Sequence, residues 1–133
     1  MENEIQVPIN SDQDIVTARQ RGRRLAAALG FSSGDATLIA TAISELARNI
    51  ITYAKSGEIR LTVIDGSARQ GIQIVAQDQG PGIPDIPQAL SDGFSTSGSL
   101  GLGLPGVMRL MDEFEIVSEK NCGTTVTAQK WKP

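Results

Sequence analysis

Five stretches of the chain alternate hydrophobic with polar residues, the period of two that is typical of β-strands. The first stretch predicts a half-exposed strand at a sheet edge. The other four form two pairs, each joined by a short Gly-containing segment, and predict two antiparallel hairpins. The stretches are residues 5–9, 58–65, 71–78, 113–118 and 124–131.

A hydrophobic repeat of three to four residues predicts helices in the remaining segments. Ser11 or Asp12 can cap the first helix, which Gly30 ends. Ser32 opens a capping-box sequence before the second helix, whose hydrophobic stripe is the strongest in the chain. A shorter helix is predicted near residues 102–111.

These elements predict one α/β domain over residues 1–133, a two-layer sandwich in which a mainly antiparallel sheet carries helices on one face. The chain is 40% hydrophobic and 20% charged, which is the composition of an ordinary globular domain. No hydrophobic run approaches the length that spans a bilayer, and the N-terminus lacks the pattern of a signal peptide. We therefore expect a cytoplasmic protein without a membrane partner.

Rare residue types exclude several kinds of chemistry. The chain has no histidine and one cysteine, Cys122, so it lacks the usual ligands of a zinc site, a Ser-His-Asp triad and a phosphohistidine relay. Its net charge of −3 argues against a nucleic-acid partner. Four arginines lie within residues 19–24; we prefer to interpret them as a solvated helix face, and a partner-binding patch is the alternative.

The second predicted helix carries two polar residues that suit phosphoryl chemistry. Glu45 and Asn49 are four residues apart, so they share one helix face and can point into one cavity. A carboxylate can act as a general base, and a carboxamide oxygen can bind magnesium. Taken alone, the pair also fits the wet edge of an amphipathic helix.

The end of the third predicted strand carries a second candidate motif. Asp78 is followed by Gly80 and Gly82, whose missing Cβ atoms would let a flat ligand approach the backbone. Asp78 is then a candidate reader of a nucleotide base. An ordinary turn after a strand is the alternative interpretation.

A third motif is the glycine-rich loop before the last predicted helix, with Gly98, Gly101 and Gly103. Backbone N–H groups at a helix N-terminus can hold phosphate oxygens. The segment 79–99 is longer than an ordinary loop, and we interpret it as a lid over the ligand rather than a disordered connector. Residues 79–108 contain no Lys or Arg, so magnesium and N–H groups must neutralise most of the phosphate charge. The order and spacing of the three motifs favour a single nucleotide pocket.

In combination, the motifs resemble the Bergerat ATP-binding fold of the GHKL superfamily, which includes gyrase-type ATPases, the Hsp90 chaperone, histidine kinases and small anti-sigma-factor serine kinases. Residues 43–49 are similar to the N box, residues 78–82 and 98–104 to the two glycine boxes, and residues 123–126 to the closing threonine motif. Residues 93–106 look specifically like those of stressosome switch kinases. One departure is that residues 50–54 replace the histidine and glycine that often follow the N box.

The resemblance implies a role for each matching residue. Asp78 would accept the adenine amino group, Thr125 together with Thr124 would hold a water beside the ring, Asn49 would bind Mg²⁺, and Glu45 would serve as the catalytic base. Both glycine boxes would complete the ATP site, with contributions from Gly80, Gly82, Gly98, Gly101, Leu102 and Gly103.

The resemblance also implies an activity. We expect an ATP- and Mg²⁺-dependent serine/threonine kinase that phosphorylates STAS-domain scaffold or antagonist proteins and then binds and activates a PP2C-type phosphatase, as a partner switch in a general stress response. A rival enzyme is an anti-sigma-factor kinase that sequesters a sigma factor directly. A nucleotide-gated binding module with little kinase activity is the non-enzymatic alternative.

Overall fold

The structure is a computed structural model that describes residues 4–66, 68–82, 103–119 and 121–133. Within these ranges the strands and helices follow one another in the predicted order. No helix of the described residues is both long and apolar enough to cross a membrane. The elements are β1 (Glu4–Ile9), α1 (Asp12–Ala28), α2 (Ser33–Ala54), β2 (Gly57–Asp65), β3 (Gln70–Asp78), α3 (Gly103–Leu110), β4 (Glu113–Glu119) and β5 (Gly123–Trp131).

The described strands form one sheet in the order β1-β2-β3-β5-β4, and neighbouring strands are antiparallel throughout. Both predicted hairpins are confirmed, as β2-β3 and β4-β5, and β1 lies at the predicted edge. Pairing of β3 with β5 joins the two hairpins. This pairing sets Asp78 directly opposite Thr124, and Gly57 of β2 lies on the other side of Asp78.

The predicted helix boundaries follow from local hydrogen bonds. Before α1, the Asp14 carboxylate accepts hydrogen bonds from the backbone N–H groups of Asn10 and Ser11, at 2.8 and 3.2 Å. After α1, Gly30 has a φ of +93°, which glycine adopts without steric cost. At the start of α2, the Ser32 hydroxyl accepts a hydrogen bond from the N–H of Asp35 at 3.0 Å.

The core lies between the sheet and the helices. The hydrophobic stripe predicted on α2 faces inward, and alternate residues of β2 and β3 meet it from the sheet. Gly22 of α1 packs so closely on α2 that a Cβ there would overlap the Ile43 side chain. Burying each large aliphatic side chain contributes roughly 1.5 to 3 kcal/mol. Fully buried members of the core are Ile9, Ile39, Ile43, Leu46, Ile50, Ile59, Leu61, Ile72, Ile74 and Val107.

The arginine cluster of α1 lies on the outside of the helix layer. Arg19, Arg21, Arg23 and Arg24 are exposed, and none forms an ion pair with another described residue. This placement agrees with the preferred interpretation of the cluster as a solvated helix face.

Candidate active site

A cleft opens where the second half of α2 meets the ends of β3 and β5. The cleft is narrow: the space between its lining atoms is about 310 Å³ including open solvent, and the centre of a water-sized sphere has access to about 20 Å³ of it. The structure brings four of the predicted site residues together here, from three different elements and one turn. Four further lining residues had not been predicted as site residues, although three of them, Pro81, Leu104 and Val126, lie within the predicted glycine boxes and the threonine motif. The lining consists of Asn49, Asp78, Gly82 and Thr124, with Tyr53, Pro81, Leu104 and Val126.

Asp78 has its two carboxylate oxygens in different environments. Oδ1 accepts hydrogen bonds from the N–H groups of Gly80 and Thr124, at 2.9 and 3.2 Å. Oδ2 has no hydrogen-bond partner among the described residues. The two backbone donors therefore fix the orientation of the carboxylate and leave one oxygen available to a ligand.

Protein packing requires glycine at both positions after Asp78, which is a reason for these glycines that the sequence did not show. A Cβ on Gly80 would lie 2.6 Å from the Cβ of Ala54, at the end of α2. Gly82 has a φ of +84°, and a Cβ there would meet the carbonyl group of Glu119. Glycine at these positions lets the turn pack between α2 and β4.

Asn49 and Tyr53 lie one helical turn apart on the face of α2 that lines the cleft. The Asn49 side chain is half-buried and makes no hydrogen bond to a described residue. No group of three or more acidic, histidine or cysteine residues among the described ones could hold a metal ion by itself. A cation bound at Asn49 would therefore need further ligands from a nucleotide and water.

Glu45 lies one turn before Asn49 and is only 6% exposed. Its Oε2 accepts a hydrogen bond from the N–H of Gly103, the first residue of α3, at 3.1 Å. Its Oε1 lies 3.3 Å from Nη1 of Arg48. The Glu45 carboxylate is therefore buried against the start of α3. The structure does bring two predicted site residues, Glu45 and Gly103, into direct contact.

The two threonines of the closing motif lie on opposite faces of the sheet. Thr124 lines the cleft, and its hydroxyl lies 2.9 Å from the hydroxyl of Ser118. Thr125 is the next residue of β5, and successive side chains of a strand point to opposite faces. It pairs with Gln77 and Val117 and is not part of the cleft lining, which corrects its predicted role beside the base.

Part of the predicted site lies outside the described residues. This applies to Gly98, Gly101 and Leu102, and to the predicted lid beyond Gly82. Their roles in phosphate binding and closure stay predictions.

The family follows from comparison with known proteins. Residues 9–130 match the family of histidine kinase-like ATPase domains, and the chain belongs to this family. The predicted superfamily and fold are thereby confirmed.

Similarity to individual proteins of known activity indicates which activity within the family this chain has. The chain is 54% identical over 125 residues to the serine/threonine-protein kinase RsbT of Bacillus subtilis, a comparison that covers 94% of each chain. It is 31% identical over 136 residues to an anti-sigma F factor of Halalkalibacterium halodurans, covering 98% of this chain and 93% of that protein. The prediction of a serine/threonine-protein kinase is confirmed by the first relative.

Solved structures agree on the fold. The RsbU and RsbW domains of a Mycobacterium tuberculosis protein match 99% of this chain and 34% of that chain, with a TM-score of 0.66 and 18% identity. The catalytic domain of the histidine kinase ThkA matches 99% of this chain and 97% of that chain, with a TM-score of 0.54 and 19% identity. At these identities the likeness concerns the fold alone.

Proposed function

We propose that the chain binds ATP with Mg²⁺ in the cleft and transfers the γ-phosphoryl group to a serine or threonine of a partner protein. The observation that carries this proposal is the Asp78 carboxylate, with Oδ1 fixed by two backbone N–H groups and Oδ2 available to a ligand. A carboxylate held in this way is suited to read the donor edge of one base.

Adenine recognition depends on the polarity of its exocyclic group. Asp78 Oδ2 accepts a hydrogen bond from the adenine amino group, whereas guanine presents a carbonyl oxygen there, which repels a carboxylate. The Tyr53 ring and the side chains of Leu104 and Val126 supply the apolar surface that a base needs. Thr124 holds the water beside the adenine ring, a role that the family resemblance implied for Thr125 together with Thr124.

The triphosphate is held by groups nearer the start of α3. Asn49 gives its carbonyl oxygen to Mg²⁺, which keeps several waters and takes few protein ligands. Gly101 and Gly103 offer backbone N–H groups to phosphate oxygens. Arg48 forms an ion pair with Glu45, and its side chain is 40% exposed. It assists in neutralising the negative charge of the triphosphate.

Glu45 is the proposed base of the transfer step. The oxygen of the acceptor hydroxyl attacks the γ-phosphorus, the bond to the ADP oxygen breaks, and Glu45 takes the hydroxyl proton. Phosphoryl transfer depends mainly on positioning and charge stabilisation, so removal of Glu45 should lower the rate far more than the nucleotide affinity.

The proposed protein substrates are STAS-domain scaffold or antagonist proteins. After their phosphorylation the released chain binds and activates a PP2C-type phosphatase, as a partner switch in a cytoplasmic stress response. The 54% identity to the RsbT kinase, against 31% to an anti-sigma F factor, supports this order of candidates. Direct sequestration of a sigma factor is the second candidate, because anti-sigma F factors also match most of the chain.

Phosphate transfer to a defined residue tests the proposal. The purified chain is mixed with a STAS-domain protein and labelled ATP-Mg²⁺, and the acceptor residue is identified by mass spectrometry. We expect label on one serine or threonine, loss of label with Asp78→Asn, and full label with Asp65→Asn. Asp65 is a matched control because it lies at the other end of the same hairpin and is exposed. Capture of a sigma factor without STAS phosphorylation would favour the second candidate.

A further inference from the structure

The contact between Glu45 and Gly103 places a carboxylate where the proposed function places a phosphate. Gly103 is the first residue of α3, and its N–H donates to Glu45 Oε2 at 3.1 Å. The first N–H groups of a helix have no partner within the helix and attract anions. Glu45 therefore occupies an anion site at the start of α3 that is built from backbone.

Few other donors are available at this position. Pro105, the third residue of α3, has no N–H. Residues 79–108 contain no Lys or Arg, so α3 supplies no side-chain cation in its first turn. In the first turn of α3 the Gly103 N–H is therefore one of few donors open to a phosphate, beside that of Leu104, and a phosphate carries the same sign of charge as the carboxylate already bound at Gly103.

We propose that the Glu45 carboxylate and a nucleotide phosphate exclude one another at the Gly103 N–H. Phosphate binding displaces Glu45 from α3 and releases Oε2 toward the acceptor hydroxyl. Until the phosphate binds, the Glu45 carboxylate stays hydrogen-bonded to Gly103. Glu45 can therefore act as a base only when nucleotide is bound. This inference rests on the proposed function, since it takes the start of α3 as the phosphate site.

Competition and a purely structural role of Glu45 predict opposite changes in affinity. If Glu45 only holds α3 in place, its removal loosens the site and weakens ATP binding or leaves it unchanged. If Glu45 competes with phosphate, its removal strengthens binding of ligands with phosphates and leaves adenosine unaffected. The ratio of the two affinities therefore separates the two roles.

The test compares a non-hydrolysable ATP analogue plus Mg²⁺ with adenosine, by calorimetry on the full chain. We expect Glu45→Ala to raise the affinity for the analogue roughly 3- to 30-fold. Glu45→Gln keeps an acceptor for Gly103 but no charge, so it should give a smaller gain. Adenosine affinity should stay constant. Glu115→Gln removes an exposed carboxylate from β4 and should change neither ligand's affinity.

A second measurement tests whether Glu45 acts through its hydrogen bond to Gly103 or only through general charge repulsion of the phosphates. Without nucleotide, the Gly103 amide should exchange with solvent faster in Glu45→Ala than in the wild type, and the bound analogue should protect it in both. Equal Gly103 exchange in the two proteins, or an unchanged ratio of analogue to adenosine affinity, would overturn the inference alone. Failure of the wild type to bind either ligand would overturn the proposed function as well.

Discussion

Asp78 divides its hydrogen-bonding capacity between the protein and the cleft. Gly80 and Thr124 both donate to Oδ1, so the carboxylate is held at the end of β3 without using Oδ2. The strand pairing supplies one of these donors, because β5 sets Thr124 opposite Asp78. The base-reading role that we propose for Asp78 thus depends on the register of the sheet as much as on the residue itself.

Asp78→Asn tests this role at the scale of one residue. The amide can turn a donor toward the adenine amino group, so a charge-assisted hydrogen bond is lost. We expect ATP affinity to fall by about 1.5 to 3 kcal/mol, or about ten- to a hundredfold. Calorimetry measures the change, with Asp65→Asn as the control. Unchanged affinity in a folded Asp78→Asn variant would assign base recognition to another group.

The turn after β3 links two elements of the site. Gly80 packs on Ala54 at the end of α2, and Gly82 packs on the carbonyl of Glu119 in β4. The turn is therefore wedged between the helix that carries Asn49 and a strand of the second hairpin. Its glycines set the position of the cleft wall through packing.

Gly80→Ala should consequently destabilise the protein even when no ligand is added. The new Cβ would meet Ala54, and overpacking of this kind costs about 1 to 3 kcal/mol. Urea unfolding measures the loss, and Ala54→Gly in the same chain should recover part of it. Gly34→Ala is the matched control, because a Cβ there would meet only the Ser32 hydroxyl at 3.9 Å. Wild-type stability of Gly80→Ala would mean that the turn is not packed as described.

The elements were predictable from sequence because their signals are local. Ser32 and Gly30 mark helix ends through the residues next to them, and alternation in β2 and β3 follows from burial of one sheet face. The contact of Glu45 with Gly103 was not predictable, because 58 residues separate them and no periodicity connects them. The sequence likewise did not show that Thr124 and not Thr125 lines the cleft, because this depends on which face of β5 meets α2.

At the scale of the whole molecule, one sheet and the helices packed on it position the described part of the candidate site. α2 contributes Glu45 and Asn49, β3 contributes Asp78, β5 contributes Thr124, and α3 begins at Gly103. The packing of α2 and α3 brings the proposed base to the start of the helix that we propose as the phosphate site. Binding and transfer are thereby assigned to different residues and can be separated by substitution.

Single-turnover phosphate transfer by Glu45→Ala tests the central claim most directly. With a STAS-domain acceptor and saturating ATP-Mg²⁺, we expect transfer to slow about a hundred- to ten-thousandfold while ATP binding is retained or strengthened. Alanine is the best helix former, so α2 should tolerate the change. Transfer at the wild-type rate would contradict the catalytic role of Glu45 and the mechanism built on it.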